Sequence, residues 1–180
     1  MHSVWTRLNA LVFASLTAIA VLAGLTTLST YSHVAAPVVR RLELQSLQSL
    51  RKYRDNTDRA TLTFNLDADL SSVFNWNVKQ LFVYVVASFQ TPSNQQNEVV
   101  IWDRIIQTKH AAATQLSVEN EGVEYFLADQ HDELRGANVT LRLEWDIMPV
   151  CGRLFIHNDD RRASFVMPTS YVGSAPRRGF

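Results

Sequence analysis

The sequence predicts an all-β domain, a β-sandwich, preceded by one N-terminal transmembrane helix. Three observations predict it. The run from Leu8 to Tyr31 carries no charge, two separate stretches alternate strictly between apolar and polar residues, and further β-rich runs recur between polar turns. The composition agrees: 47% of the residues are apolar, 19% are charged, and the formal net charge is zero. That suits one folded domain with a short appendage and gives no sign of a nucleic-acid partner.

The N-terminal run "LNALVFASLTAIAVLAGLTTLSTY" would form a helix about 36 Å long, enough to cross a bilayer core with residues left for tilt. A buried charge near its middle would cost about 2.5–3.5 kcal/mol, and none is present. A cleaved leader would have a shorter apolar region, roughly 7–15 residues. Pro37 directly after Ala36 also hinders cleavage at "VAAP". The segment therefore reads as an uncleaved signal anchor. Arg7 flanks one end and Arg40 and Arg41 the other, so the balance of positive charge leaves the orientation open.

The expected layout is a short N-terminus at 1–7, the anchor at 8–31, a connector at 32–37, the sandwich at 38–172 and a flexible tail at 173–180. Within the sandwich, "VVRRLELQSL" from Val38 alternates loosely, and "RKYRDNTDR" from Arg51 reads as a solvated loop. In "ATLTFNLDADL", Leu62, Phe64, Leu66, Ala68 and Leu70 share one face and Thr61, Thr63, Asn65, Asp67 and Asp69 the other, which marks a half-buried strand. "NVTLRLEWDIM" repeats the pattern with Val139, Leu141, Leu143, Trp145 and Ile147. "NEVVIWDRIIQ" puts Val99, Ile101 and Asp103 on one side and Val100, Trp102 and Arg104 on the other. "QLSVE" and "GVEYFLA" supply shorter strands, and "RLFIH" and "ASFVMP" around "NDDRR" read as a hairpin. Roughly seven to nine strands result, the number of a sandwich.

"LFVYVVASF" from Leu81 is apolar on both faces, so it predicts a central strand whose outer face is covered, by a loop of the chain or by another protein. Trp76, Trp102 and Trp145 predict core positions, with a ligand cleft as the competing reading. The single cysteine, Cys151, excludes an intrachain disulfide and reads as a buried, inert thiol.

No catalytic motif emerges. His33, His110, His131 and His157 lie outside any nucleophile elbow, zinc helix or phosphate loop. His131 in "DQHDEL" and His157 in "HNDDRR" read as loop residues, not metal ligands. Asp67 and Asp69, about 7 Å apart on a strand face, read as solvent-facing groups, not an acid pair. "NVT" at Asn138 to Thr140 is the only N-glycosylation acceptor, a triplet that chance also supplies. No cofactor is implied.

Three stretches, "FNWNVKQLFVYVVASF", "EVVIWDRII" and "NVTLRLEWDIMP", resemble the eukaryotic signal peptidase complex subunit 3 family. They stand in the family's order and at similar spacing, behind a similar anchor. The resemblance covers nearly the whole chain and is weaker at 40–60, at 108–135 and in the last twenty residues. It implies a single-span endoplasmic reticulum protein with a cytosolic N-terminus, a lumenal sandwich and a glycan on Asn138. It also implies a non-catalytic role in signal-peptide cleavage. Its partners would be a separate serine-and-histidine catalytic subunit, two small membrane-spanning subunits and membrane lipid, with preproteins met only indirectly. Phe74, Trp76, Lys79, Gln80, Val83, Val85, Trp102 and Trp145 become the candidate core and interface residues, Lys79 and Gln80 as polar contacts. The alternative from another class is an independent membrane adaptor or lectin-like module that binds through exposed tryptophans.

Overall fold

The computed structural model describes residues 3–53, 55–107 and 114–173. His110 and nearly all of the expected 173–180 tail lie outside them. A single long helix, α1 (Val4–Thr30), begins at Ser3, whose hydroxyl accepts the Thr6 amide at 3.3 Å. All of its side chains are solvent-accessible within the chain, and it is long and apolar enough to cross a membrane. Its threonines bond back to carbonyls one turn earlier, Thr17 to Phe13 at 2.8 Å and Thr26 to Leu22 at 2.9 Å. Those bonds leave few polar atoms to be solvated by lipid.

Two antiparallel sheets follow. One holds β1 (Val38–Lys52), β2 (Asp58–Asp69), β5 (Gln115–Gly122) and β6 (Leu127–Asp129), ordered β1-β2-β5, with β6 also against β2. The other holds β3 (Val78–Phe89), β4 (Asn97–Ile106), β7 (Asn138–Pro149), β8 (Phe155–Asn158) and β9 (Ala163–Val166), ordered β4-β3-β7-β8, with β9 also against β7. Leu62, Phe64, Leu66 and Ala68 of β2 meet Leu81, Val83, Val85, Leu141, Leu143 and Trp145 across the core. Phe64 and Trp102 sit edge to face with centroids 5.9 Å apart.

The structure corrects several expectations. β8 and β9 do not form a hairpin. Both run antiparallel to β7, pairing with Glu144–Ile147 and Asn138–Leu141 respectively. They are thus one edge strand interrupted by the polar loop, and periodicity cannot tell a turn from an interruption. In β4 a bulge at Ile101 resets the phase, because Val85 pairs with Trp102 and Val86 with Val100. Ile101 and Trp102 are therefore both buried, where strict alternation separated them. The loop expected from Arg51 shrinks, since β1 continues to Lys52 and β2 starts at Asp58, whose carboxylate is buried and accepts the Tyr171 hydroxyl at 2.9 Å. "GVEYFLA" contributes only Leu127 and Ala128 to β6 and Gly122 to the end of β5, and Tyr125 and Phe126 between them are exposed. Along β1 three register shifts break the ladder with β2, which blunts a long edge strand against pairing with other chains.

Candidate functional site

Two surfaces hold the residues singled out by sequence. The first is the outer face of the five-stranded sheet. β3 turns Val83 and Val85 into the core, where both are fully buried, and turns Phe82, Tyr84 and Val86 outward. Tyr84 and Val86 are nonetheless buried on that outer face. Its cover comes from neighbouring side chains. Arg142, opposite Val86, reaches Glu98 at 2.9 Å and also bonds Glu144. Tyr84, opposite Glu144, donates to Asp146 at 3.1 Å and packs on Phe82 with centroids 5.1 Å apart. One row across the sheet reads Ile105, Phe82, Asp146, Ile156. Ile105 is 53% and Ile156 71% exposed, so this row presents apolar groups to solvent at both ends.

Burial, then the nearby Asp146 and Glu144 carboxylates, push the Tyr84 phenol above its ordinary value. A raised phenol contributes stability that is complete below the ordinary tyrosine value, about 10, and is lost as pH climbs past it. Tyr84→Phe is thus expected to lower stability by about 0.5–1.5 kcal/mol near pH 7, for the lost hydrogen bond, and to flatten the decline above pH 10. Chemical denaturation at a series of pH values checks both; an unchanged alkaline decline rejects the assignment.

The second surface is the joint between α1 and the sandwich. Trp76 is not in the core, as expected, but 61% exposed, with its indole N–H donating to the Ser29 hydroxyl at 3.0 Å. The His33 ring stands edge-on to Trp76 and its Nε2 lies 2.8 Å from the Ser72 carbonyl. Asn77, buried, clamps the loop between β7 and β8: its amide donates to the Cys151 carbonyl at 2.7 Å and accepts the Cys151 N–H at 2.9 Å. Its own carbonyl takes the Val150 N–H at 2.7 Å. Cys151 is half-buried in this loop, not buried as expected, and it lines the cavity beside α1 while the clamp grips its backbone. Gly152, at φ +110°, passes so near α1 that a Cβ would stand 3.1 Å from Thr27 Cγ2. Between helix and sandwich lies a cavity of about 370 Å³ whose wall includes Thr27, Tyr31, His33, Trp145 and Phe155.

The other predicted residues are dispersed. Phe74, Trp102 and Trp145 are buried, Lys79 is exposed, and the half-buried Gln80 places its amide nitrogen 3.0 Å from the Met148 sulfur. Asn138 opens β7 with an exposed side chain. Asp67 and Asp69 flank Arg40 at 3.0 and 3.8 Å, an ion-paired surface group. His33 and His157 line the helix–sandwich cavity together with Cys151, and no group of three metal-ligating side chains occurs among the described residues. Phe82, Ile105, Ile156 and Asn77 carry the two surfaces yet were not singled out. Only the polar break "NWN" before an apolar strand signals Asn77, and nothing local signals the row.

The fold is a β-sandwich behind one helix long and apolar enough to cross a membrane. The comparisons go further. The family described as "Signal peptidase subunit" matches residues 1–170. Signal peptidase complex subunit 3 of Drosophila melanogaster is 36% identical over 180 residues, 97% of this chain and 99% of that protein. The human subunit 3 is 33% identical over 176 residues, 95% of this chain and 97% of its own. Adipocyte-related X-chromosome expressed sequence 1 of Mus musculus is 35% identical over 176 residues, with the same two coverages. The chain belongs to the signal peptidase subunit family, as an accessory, non-catalytic member.

Proposed function

We propose that this chain sits in the endoplasmic reticulum membrane with its N-terminus cytosolic and its sandwich lumenal. There it holds the catalytic subunit of the signal peptidase complex in place while signal peptides are cut from secretory and membrane proteins. The observation that carries the reading is the outward row Ile105–Phe82–Asp146–Ile156, a sheet row with exposed isoleucines at both ends and one carboxylate within it. Exposed apolar side chains interspersed with charged ones suit a protein partner, and strands position such a partner better than loops. The small membrane-spanning subunits would meet α1, whose residues up to Leu22 are all exposed within the chain. Asn138, exposed at the start of β7, would carry the glycan.

The test is a mild-detergent purification of tagged full-length chain, scored for co-purifying protease and for cleavage of a preprotein. The double variant Ile105→Glu, Ile156→Glu is expected to stay folded, since both side chains are largely exposed, while recovery of the protease falls at least about tenfold, about 1.4 kcal/mol of lost association. A folded double variant that still brings down active protease removes this face from the interface. If the unmodified chain comes down alone and inactive, an independent binding module replaces the whole reading.

A further inference from the structure

The β7–β8 loop has features that docking on the outer face does not use. The midpoint of α1 is Thr17, and half of a bilayer's hydrocarbon core, about 15 Å, corresponds to about ten helical residues. The two hydrocarbon boundaries then fall near Arg7, the only charge in the helix, and near Thr27. Thr27 is the residue that Gly152 touches. The loop is therefore held beside the helix at the depth where acyl chains meet headgroups.

Its composition suits that depth. Val150 is 66% and Leu154 57% exposed, although both are apolar and neither has a partner surface in the chain. From Ile147 to Asn158 there is no carboxylate, whereas Arg153 is present with its guanidinium over the Phe155 ring, 5.0 Å from the centroid. Lys79 adds an exposed cation one residue beyond the Val78–Pro149 pairing. Trp76 and Tyr31, the amphipathic aromatics that favour headgroup level, stand at the same end of the helix. The Asn77 clamp keeps the loop from folding its apolar residues away.

We infer that this loop is a second membrane contact. Val150 and Leu154 enter the outer edge of the acyl region, and Arg153 meets lipid phosphates. The partner is a lipid surface, preferably an anionic one, because the loop pairs apolar side chains with positive charge only. The contact does not depend on which protein occupies the outer face of the sheet.

The probe is full-length protein in phosphatidylcholine vesicles with and without phosphatidylserine, with insertion of the chain verified by flotation. In a Cys151→Ser background, Leu154→Cys and, separately, Gln95→Cys in the β3–β4 turn at the opposite end of the sandwich receive a small fluorophore. Lipids with a nitroxide near the head of the acyl chain are the quencher. Quenching several-fold stronger at 154 than at 95 is expected, and Arg153→Glu should reduce it in the anionic vesicles while leaving the neutral ones unchanged. Equal quenching at the two positions overturns the inference. So does strong quenching in the isolated chain that disappears in the purified complex, which would give the loop a protein partner instead of lipid. An Arg153→Glu variant quenched as strongly as its parent in anionic vesicles would overturn the role of charge.

Discussion

Replacing Val83 with aspartate is expected to abolish the folded sandwich. Val83 is fully buried on the central strand of its sheet, paired with Arg104 of β4 on one side and Trp145 of β7 on the other. An unpaired carboxylate there costs about 3–5 kcal/mol, and the lost valine burial adds about 1.5–3 kcal/mol. Domains of this size are stable by only about 5–15 kcal/mol in total. Circular dichroism and limited proteolysis of the purified full-length chain measure the outcome. A cooperative thermal transition at the unmodified temperature would show that β3 does not face the core at this position. Any loss of assembly in Val83→Asp or Val85→Asp is thereby a loss of fold, so these two positions cannot report on the partner.

The second large effect is expected at Trp102. Its side chain is fully buried beside Phe64, its indole N–H lies 3.4 Å from a Glu121 oxygen, and the Arg104 guanidinium stands 5.0 Å from its ring centroid. Trp102→Ala should cost about 3–5 kcal/mol, because the two sheets cannot close over a void of that size. Trp102→Phe should recover part of the loss by keeping an aromatic edge against Phe64. Denaturant titration at constant slope reads both. A loss under about 1 kcal/mol for the alanine variant would mean that the bulge at Ile101 relaxes to refill the site.

Much of the fold was legible because burial on one face of a sheet writes itself into the sequence with period two. β2 and β7 display that period in their residue types, although Thr63 and Asn65 on the expected polar face of β2 are buried as well, and β3 betrays its central place by being apolar on both faces. What escaped was whatever depends on a partner strand. The extra residue at Ile101 shifts the phase of β4, and alternation alone cannot announce where a strand carries one. The polar loop after Asn158 looks like a hairpin turn until β7 is seen to pair on both sides of it. The docking row needs the order β4-β3-β7-β8, since Ile105, Phe82 and Ile156 are far apart in the chain. Trp76 deceived for a different reason. A tryptophan beside an apolar strand fits a core as well as a membrane boundary, and only the bond to Ser29 separates the two.

The bracing of α1 by Trp76 and Gly152, and of the segment after it by the His33 bond to Ser72, has a thermodynamic consequence. A domain on a loose tether would tumble above the bilayer, and a partner would have to arrest that motion when it bound. With the helix end bonded to Trp76 through Ser29, and the segment after it bonded to Ser72 through His33 and Ala36, tilt and height are restricted before any encounter. Two such proteins in one membrane then search only by lateral diffusion and by rotation about the membrane normal. The entropy that association normally loses is largely surrendered during folding, so even a modest apolar row can sustain a lasting complex.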